Sequence, residues 1–215
     1  MPHEPHGFVS SLAEDTLRRR VKIELRKRMR GLRKALPAAA CAERSARIVE
    51  HLLGLDAIQR ARSVALFWPI EERHEVDLRP LDAVLRERGA RVAYPAVDPE
   101  THAMTFRFVA LPDSMQRQGL AVVEPSGAEP EAGDGDLDAI VIPALAVDPA
   151  GQRVGYGAGY YDNALPRFAP PAVTIAVAFD FQLLAEVPIT EGDVATEWIV
   201  TDSRILKAEI GPSAG

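Results

Sequence analysis

The segment Asp138–Leu145 (DAIVIPAL) is a continuous apolar run that goes straight into a glycine-rich stretch. An apolar run of strand length with no polar alternation suits a strand covered on both faces, as in a parallel sheet flanked by helices. Other segments repeat that rhythm. Leu78, Leu81, Val84 and Leu85 have helical spacing, and Gly89 follows as a stop before a second strand candidate, Arg91 to Val97. Ser63 to Trp68 (SVALFW), Thr105 to Phe108, Val173 to Phe179 (VTIAVAF) and Ile199 to Thr201 read as further strands, and Tyr160 to Phe168 as a helix. Strands alternating with helical patterns predict a three-layer α/β/α arrangement around a mostly parallel sheet.

Upstream, Leu17, Val21, Leu25, Met29, Leu32 and Leu36 recur at steps of three and four between Asp15, a good N-cap, and Pro37. This predicts a first helix. Ile48, Val49, Leu52 and Leu53 suggest a second helix ending at Gly54. Residues 1–15 carry prolines, a glycine and paired serines and are expected to be loosely ordered, as is the tail 211–215, leaving one catalytic domain over 16–210. The stretch 110–138, rich in Pro, Gly, Asp and Glu, reads as a long surface connection. At 215 residues there is room for one such domain and not for two large ones.

Charge and cysteine content narrow the function classes. A net charge of −6 argues against a surface that clings everywhere to nucleic acid or anionic lipid, so any polyanion site must be local. One cysteine, Cys41, excludes an internal disulfide and fits a reducing compartment. No apolar run approaches the roughly 18–20 residues of a membrane span, and the N-terminus lacks a signal-peptide pattern, so a soluble cytoplasmic protein is expected. The histidines His3, His6, His51 and His102 have no metal-ligand spacing, and Trp68 and Trp198 look like packing residues.

In open α/β sheets ligands bind beyond the carboxyl ends of the strands, which directs attention to the loop DPAGQRVGYGAGYYD. Gly155, Gly157 and Gly159 alternate there, freeing backbone N–H groups to face an anion, and the following helix adds its positive end. A phosphate cradle and a plain flexible turn both fit three alternating glycines. Neither the dinucleotide GxGxxG nor the P-loop pattern is present. The flanking residues favour the cradle: Arg153 offers a forked cation, Tyr160 and Tyr161 are aromatic where a hinge would avoid them, and Asp162 suits Mg²⁺ beside nucleotide phosphates.

The whole stretch IPALAVDPAGQRVGYGAGYYD resembles the signature of the 5-formyltetrahydrofolate cyclo-ligase family. KIELR from Lys22 to Arg26 is similar to the family's K-x-x-L-R; SVALFWPI with Glu75-Val76-Asp77 to its strand and E-V-D; GLAVVEP at 119–125 to its G-x-x-x-x-E-P; and VPITEGD to the stretch closing on a metal aspartate, here Asp193. The resemblance implies a fold related to the sugar-phosphate isomerase and CoA transferase group (NagB/RpiA/CoA transferase-like). It further implies an ATP- and Mg²⁺-dependent closure of 5-formyltetrahydrofolate to 5,10-methenyltetrahydrofolate through a phosphorylated formyl group. Phosphorylation turns a very poor leaving oxygen into a good one without a protein nucleophile.

Carried over by position, the nucleotide contacts are Lys22, Arg26, Arg153, Val154, Gly155, Tyr156, Gly157, Ala158, Gly159, Tyr160 and Tyr161. Arg26, Phe67, Glu75 and Tyr160 are the substrate contacts, Arg153 and Tyr160 the catalytic pair, and Asp162 and Asp193 the Mg²⁺ ligands. Lys22 and Arg26, four residues apart, share a helix face. Each assignment has a plainer counterpart. Residues 18–34 hold ten basic side chains against the single acid Glu24, most of which must be solvated. Phe67 reads equally as core, Glu75 as one of several acids in EERHE, and Asp148 as the initiator of a DPAG turn rather than a reserve metal ligand. The sequence departs from the family pattern at Val147, Ala158, Asn163 and Gly192, and Ala158 is tolerable only at negative φ. A monomer acting on small molecules, with neither membrane nor nucleic acid as partner, is expected. A non-catalytic or altered-substrate paralogue, and an RNA-associated protein using the basic helix, are the competing classes.

Overall fold

The computed structural model describes residues 6–98, 100–101, 103–118 and 122–209. Helix α1 (His6–Lys34) is followed by α2 (Ala38–Gly54), a short α3 (Asp56–Gln59) and strand β1 (Ser63–Ala65). Then come α4 (Arg79–Glu87), β2 (Arg91–Val97), β3 (Met104–Phe108) and the short pair β4 (Gln116–Gln118) and β5 (Val122–Glu124). The chain continues through β6 (Ala139–Pro143), β7 (Ala146–Val147), β8 (Arg153–Val154), α5 (Tyr160–Phe168), β9 (Val173–Val177), β10 (Trp198–Val200) and β11 (Ile205–Lys207).

Seven strands form one sheet in the order β11-β10-β9-β6-β1-β2-β3. The inner neighbours run parallel, while β3 and β11 close the edges antiparallel. Alternation along the strands assigns two faces. Val64, Val92, Tyr94, Val141 and Ile175 pack with Ile48, Leu52, Ile58, Leu81 and Leu85 of α2, α3 and α4. On the other face Ala65, Ala93, Phe106, Ile140 and Ile142 pack with Leu165 and Phe168 of α5. The three-layer expectation is met, with β6 buried at the centre.

Several local expectations need correction. Helix α1 is already formed at His6, well ahead of Asp15, so residues 6–15 are helical rather than loosely ordered; the Asp15 carboxylate accepts from Arg19 Nε at 2.6 Å on the helix surface instead of capping. The apolar stripe is only in part the buried face of α1: Leu25, Met29 and Leu36 pack inward, but Leu17, Val21 and Leu32 are exposed, and the polar Lys22 and Arg33 are buried. Acidic partners for Lys22 and Arg33, described below, turn the helix this way. Strand β1 stops at Ala65, and Leu66 continues only as a single hydrogen bond to the Ala93 carbonyl. The connection 110–138 contains the β4–β5 pair, and the β7–β8 hairpin and β11 carry no strong sequence signal. Residues 1–5 and 211–215, His3, His102 and the first three residues of GLAVVEP lie outside the described residues. No described helix is long and apolar enough to cross a membrane.

Candidate active site

Strand β6 ends at Pro143, and the β7–β8 hairpin folds back beside it before the glycine loop leads into α5. Helix α1 crosses this end of the sheet, where Met29 and Leu25 pack on Leu145, Ala146, Val154 and Val187. Between α1, the glycine loop and the segment 190–193 opens a cavity of about 480 Å³. It lies beyond the carboxyl end of the central strand, as the topology requires.

Lys22 is 5% exposed, and its Nζ donates to Thr190 Oγ1 at 3.0 Å and to Asp193. Asp193 also accepts from the Thr190 N–H at 2.6 Å, so one carboxylate ties α1 to the 190–193 turn. Arg26 Nε donates to the Gly155 carbonyl at 2.9 Å, and burial, with Arg30 nearby, pushes the Arg26 guanidinium below its ordinary value. A Cβ on Gly157 would meet that guanidinium at 3.4 Å, an ordinary contact, so it is the backbone, at φ +109, that favours glycine there. Gly159, at φ 73, opens α5 in the left-handed region. Among the described residues only His74 is a non-glycine with positive φ, so Ala158 meets its condition.

Arg153 is 7% exposed, with its guanidinium donating to Asp162 Oδ1 at 2.8 Å and to the Val194 carbonyl. Burial lowers its pKa against the opposing pull of Asp162. The same Asp162 oxygen accepts from the Val194 N–H at 3.2 Å. Tyr160 and Tyr161 line the cavity, and burial pushes the Tyr161 phenol well above its ordinary value.

The structure thus brings Lys22, Arg26, Arg153, Gly155, Tyr156, Gly157, Ala158, Gly159, Tyr160, Tyr161, Asp162 and Asp193 to one cavity wall. It does not bring Phe67, Glu75 or Val154 there. Phe67 is 4% exposed within the core against α2, and Val154 is buried under α1. Glu75 lies one side chain back, with Oε2 accepting from the Ile70 N–H at 2.9 Å and Oε1 accepting from the Tyr156 hydroxyl. Asp148 supports the turn instead, accepting from the N–H groups of Ala150 and Gln152 at 3.0 Å and of Val187 at 2.8 Å.

Sequence analysis missed Thr190, Glu191 and Pro143 as wall residues and Arg33 behind the wall. VPITEGD contains two of them, but only the fold shows that Thr190 shares a carboxylate with α1.

For a divalent cation, the wall offers Asp162 and Asp193, each already facing a cation, with Glu191 beside them. Among the described residues no set of three or more His, Cys, Asp and Glu converges. Mg²⁺ needs only one or two carboxylates when phosphate oxygens and water complete its shell, so the donors fit an ion that arrives with a nucleotide.

A sequence profile of the 5-formyltetrahydrofolate cyclo-ligase family matches residues 18–202. The chain is 33% identical over 197 residues to a 5-formyltetrahydrofolate cyclo-ligase of Mycolicibacterium smegmatis, covering 88% of this chain and 97% of the relative. It is 27% identical over 180 residues to that of Escherichia coli, covering 82% and 98%. Among solved structures, Aquifex aeolicus 5,10-methenyltetrahydrofolate synthetase superposes with a TM-score of 0.77 at 27% identity, covering 91% of this chain and 96% of that one. With the family pattern matched along nearly the whole described chain, and its glycine loop built into a cation-lined cavity at the sheet's carboxyl edge, this protein belongs to the 5-formyltetrahydrofolate cyclo-ligase family of ligases.

Proposed function

We propose that the protein closes 5-formyltetrahydrofolate to 5,10-methenyltetrahydrofolate at the expense of ATP and Mg²⁺. The observation that carries this is the convergence of the cations Lys22, Arg26 and Arg153 and the carboxylates Asp162 and Asp193, beside Arg19 and Glu191, on a cavity walled by the glycine loop. The cations suit the triphosphate, and the carboxylates suit a cation carried by it. As found, they neutralise one another in the pairs Lys22–Asp193 and Arg153–Asp162. Bound Mg·ATP offers both signs of charge, so Lys22 can exchange Asp193 for a phosphate oxygen without leaving either group unpaired. Mg²⁺ held by Asp162 and Asp193 would supply charge neutralisation on the phosphates.

In the reaction the formyl oxygen attacks the terminal phosphorus and ADP departs. N10 of the folate then attacks the activated carbon, loses its proton, and phosphate leaves with the original formyl oxygen. The residues position and neutralise: the glycine-loop amides and Lys22 hold the phosphates, Arg26 spans loop and helix, and Tyr160 and Tyr161 exclude water from the wall. Arg153 fixes the orientation of Asp162. Glu75 is assigned to the paired N–H edge of the pterin, for which a carboxylate is the matching acceptor.

Incubation with 5-formyltetrahydrofolate, ATP and Mg²⁺ should generate the methenyl chromophore with one ADP formed per product. Binding of both ligands without chromophore would overturn the assignment in favour of a non-catalytic paralogue. We further propose a cytoplasmic monomer working on small molecules.

A further inference from the structure

Glu75 is the assigned substrate contact that the cavity does not reach, and what separates the two is the phenol of Tyr156. The Glu75 side chain is 4% exposed, and its Oε1 lies 3.8 Å from Arg33 Nη2. Arg33 donates to the Tyr156 hydroxyl, which donates in turn to Glu75, so the phenol is inserted into a buried ion pair. The other face of Tyr156 lines the cavity. Arg33 is 3% exposed and its Nε is a buried donor without a partner among the described residues. Such a group is uncommon and marks a place where an acceptor can arrive.

The surroundings of Tyr156 are built to let it move. Gly155 and Gly157 flank it, so no Cβ hinders rotation on either side. Behind it, the turn Glu71–Arg73 closes on His74, whose left-handed backbone (φ 49) is held by its Nδ1 against the Arg33 carbonyl at 2.9 Å. A non-glycine residue held in this region marks a strained segment kept in place by its contacts. The exposed Arg73 guanidinium covers the Tyr156 ring at 4.9 Å, a contact easily exchanged with water.

We infer that Tyr156 is the access residue for the folate: its phenol caps Glu75 in the free protein and swings aside on binding, presenting Glu75 and the unpartnered Arg33 Nε to the ring. This rests on the assignment of Glu75 made above. The exchange replaces one phenol donor on Glu75 by the two parallel N–H donors of an aminopyrimidinone edge and gives Arg33 an acceptor, such as a ring carbonyl. A ligand lacking those donors would leave Glu75 unpaired after displacing Tyr156, so the cap also serves specificity.

The test compares equilibrium binding of 5-formyltetrahydrofolate without ATP, and of Mg·ATP alone, to the parent, Tyr156→Phe, Glu75→Gln and the double variant. Removing the hydroxyl that competes for Glu75 should tighten folate binding several-fold, on the order of the tenfold that a single hydrogen bond to a charged group confers, whereas Mg·ATP binding should not tighten with it. Glu75→Gln should weaken folate in both backgrounds. Folate binding that is unchanged or weaker in Tyr156→Phe overturns the cap. The contact is also read without ligand. Burial first, then the Glu75 charge against the opposing Arg33, pushes the Tyr156 phenol up to about 12. Arg33, Arg73, His74 and Glu75 are the titratable groups around it. By ultraviolet titration Glu75→Gln should bring one tyrosine's ionisation down, and no change would again refute the cap. Should the parent bind Mg·ATP but no folate, the proposed function falls, and the titration decides the Tyr156 contact separately.

Discussion

Replacing Lys22 by methionine keeps most of the stem and removes the ammonium, which separates two roles of this residue. In the free protein the loss is the contact to Asp193, whose side chain is 18% exposed and retains the Thr190 N–H at 2.6 Å and the Thr190 hydroxyl at 3.0 Å. Removing one partner of a fully buried pair costs about 3–5 kcal/mol. Partial exposure of Asp193 and its remaining donors place the cost here nearer about 1 kcal/mol, in the range of partly solvated pairs. In the nucleotide complex the loss is a hydrogen bond from a charged donor to a phosphate oxygen, worth about 1.5–3 kcal/mol. At 1.4 kcal/mol per decade, this raises the Mg·ATP dissociation constant roughly 10- to 100-fold. Calorimetric titration of Mg·ATP together with urea unfolding measures both quantities on the same sample. Arg20→Met, an exposed change on the same helix, should alter neither. Nucleotide affinity within twofold of the parent, combined with a stability loss above about 3 kcal/mol, would show that Lys22 is only a strut between α1 and the 190–193 turn and would refute the charge-exchange account.

Asp162→Asn keeps the Oδ1 acceptor used by Arg153 and Val194 but removes the negative charge. It should weaken Mg·ATP use far more than folate binding, and equal losses for the two ligands would mark the residue as structural. Gly151→Ala should destabilise the fold by about 2–5 kcal/mol, adding the left-handed penalty to overpacking; a Cβ there would stand 2.1 Å from the Thr196 carbonyl oxygen at φ +79. Urea midpoints within experimental error of the parent would contradict this. Asp138 is pushed up by burial, but the Arg62 and Ser63 N–H groups and the Ser63 hydroxyl outweigh that and hold it below its ordinary range. A depressed folded pKa stabilises above the unfolded value of about 3.9 and is lost as pH falls through the folded one. Asp138→Ala should therefore cost about 1 kcal/mol at neutral pH, and the difference from the parent should shrink under acid. A difference independent of pH would refute it.

Periodicity made the layered sheet legible because each inner strand is buried on both faces, and a doubly covered strand leaves an apolar signature in sequence alone. Residues 91–97 and 104–108 pair as β2 and β3, close to where patterning put them. The glycine loop was legible for a local reason: Gly157 and Gly159 have positive φ that side chains resist, so the backbone demand is written directly in the residue type. The family motifs added Asp193, far from the loop in sequence, to the same wall.

Sequence alone, then, determined the order of the main helices and inner strands, the glycine loop and the chemical types gathered around it, since each follows from short-range spacing and backbone permission. The rotation of α1 was decided only in three dimensions. Leu17, Val21 and Leu32 of its apolar stripe are exposed, while Lys22 and Arg33 are buried opposite Asp193, 171 residues further along the chain, and Glu75, in the segment after β1. Likewise only the tertiary packing placed Tyr156 between the cavity and Glu75, 81 residues apart along the chain. Pairing of charges across such separations depends on where the folded chain brings them, and no local pattern encodes it.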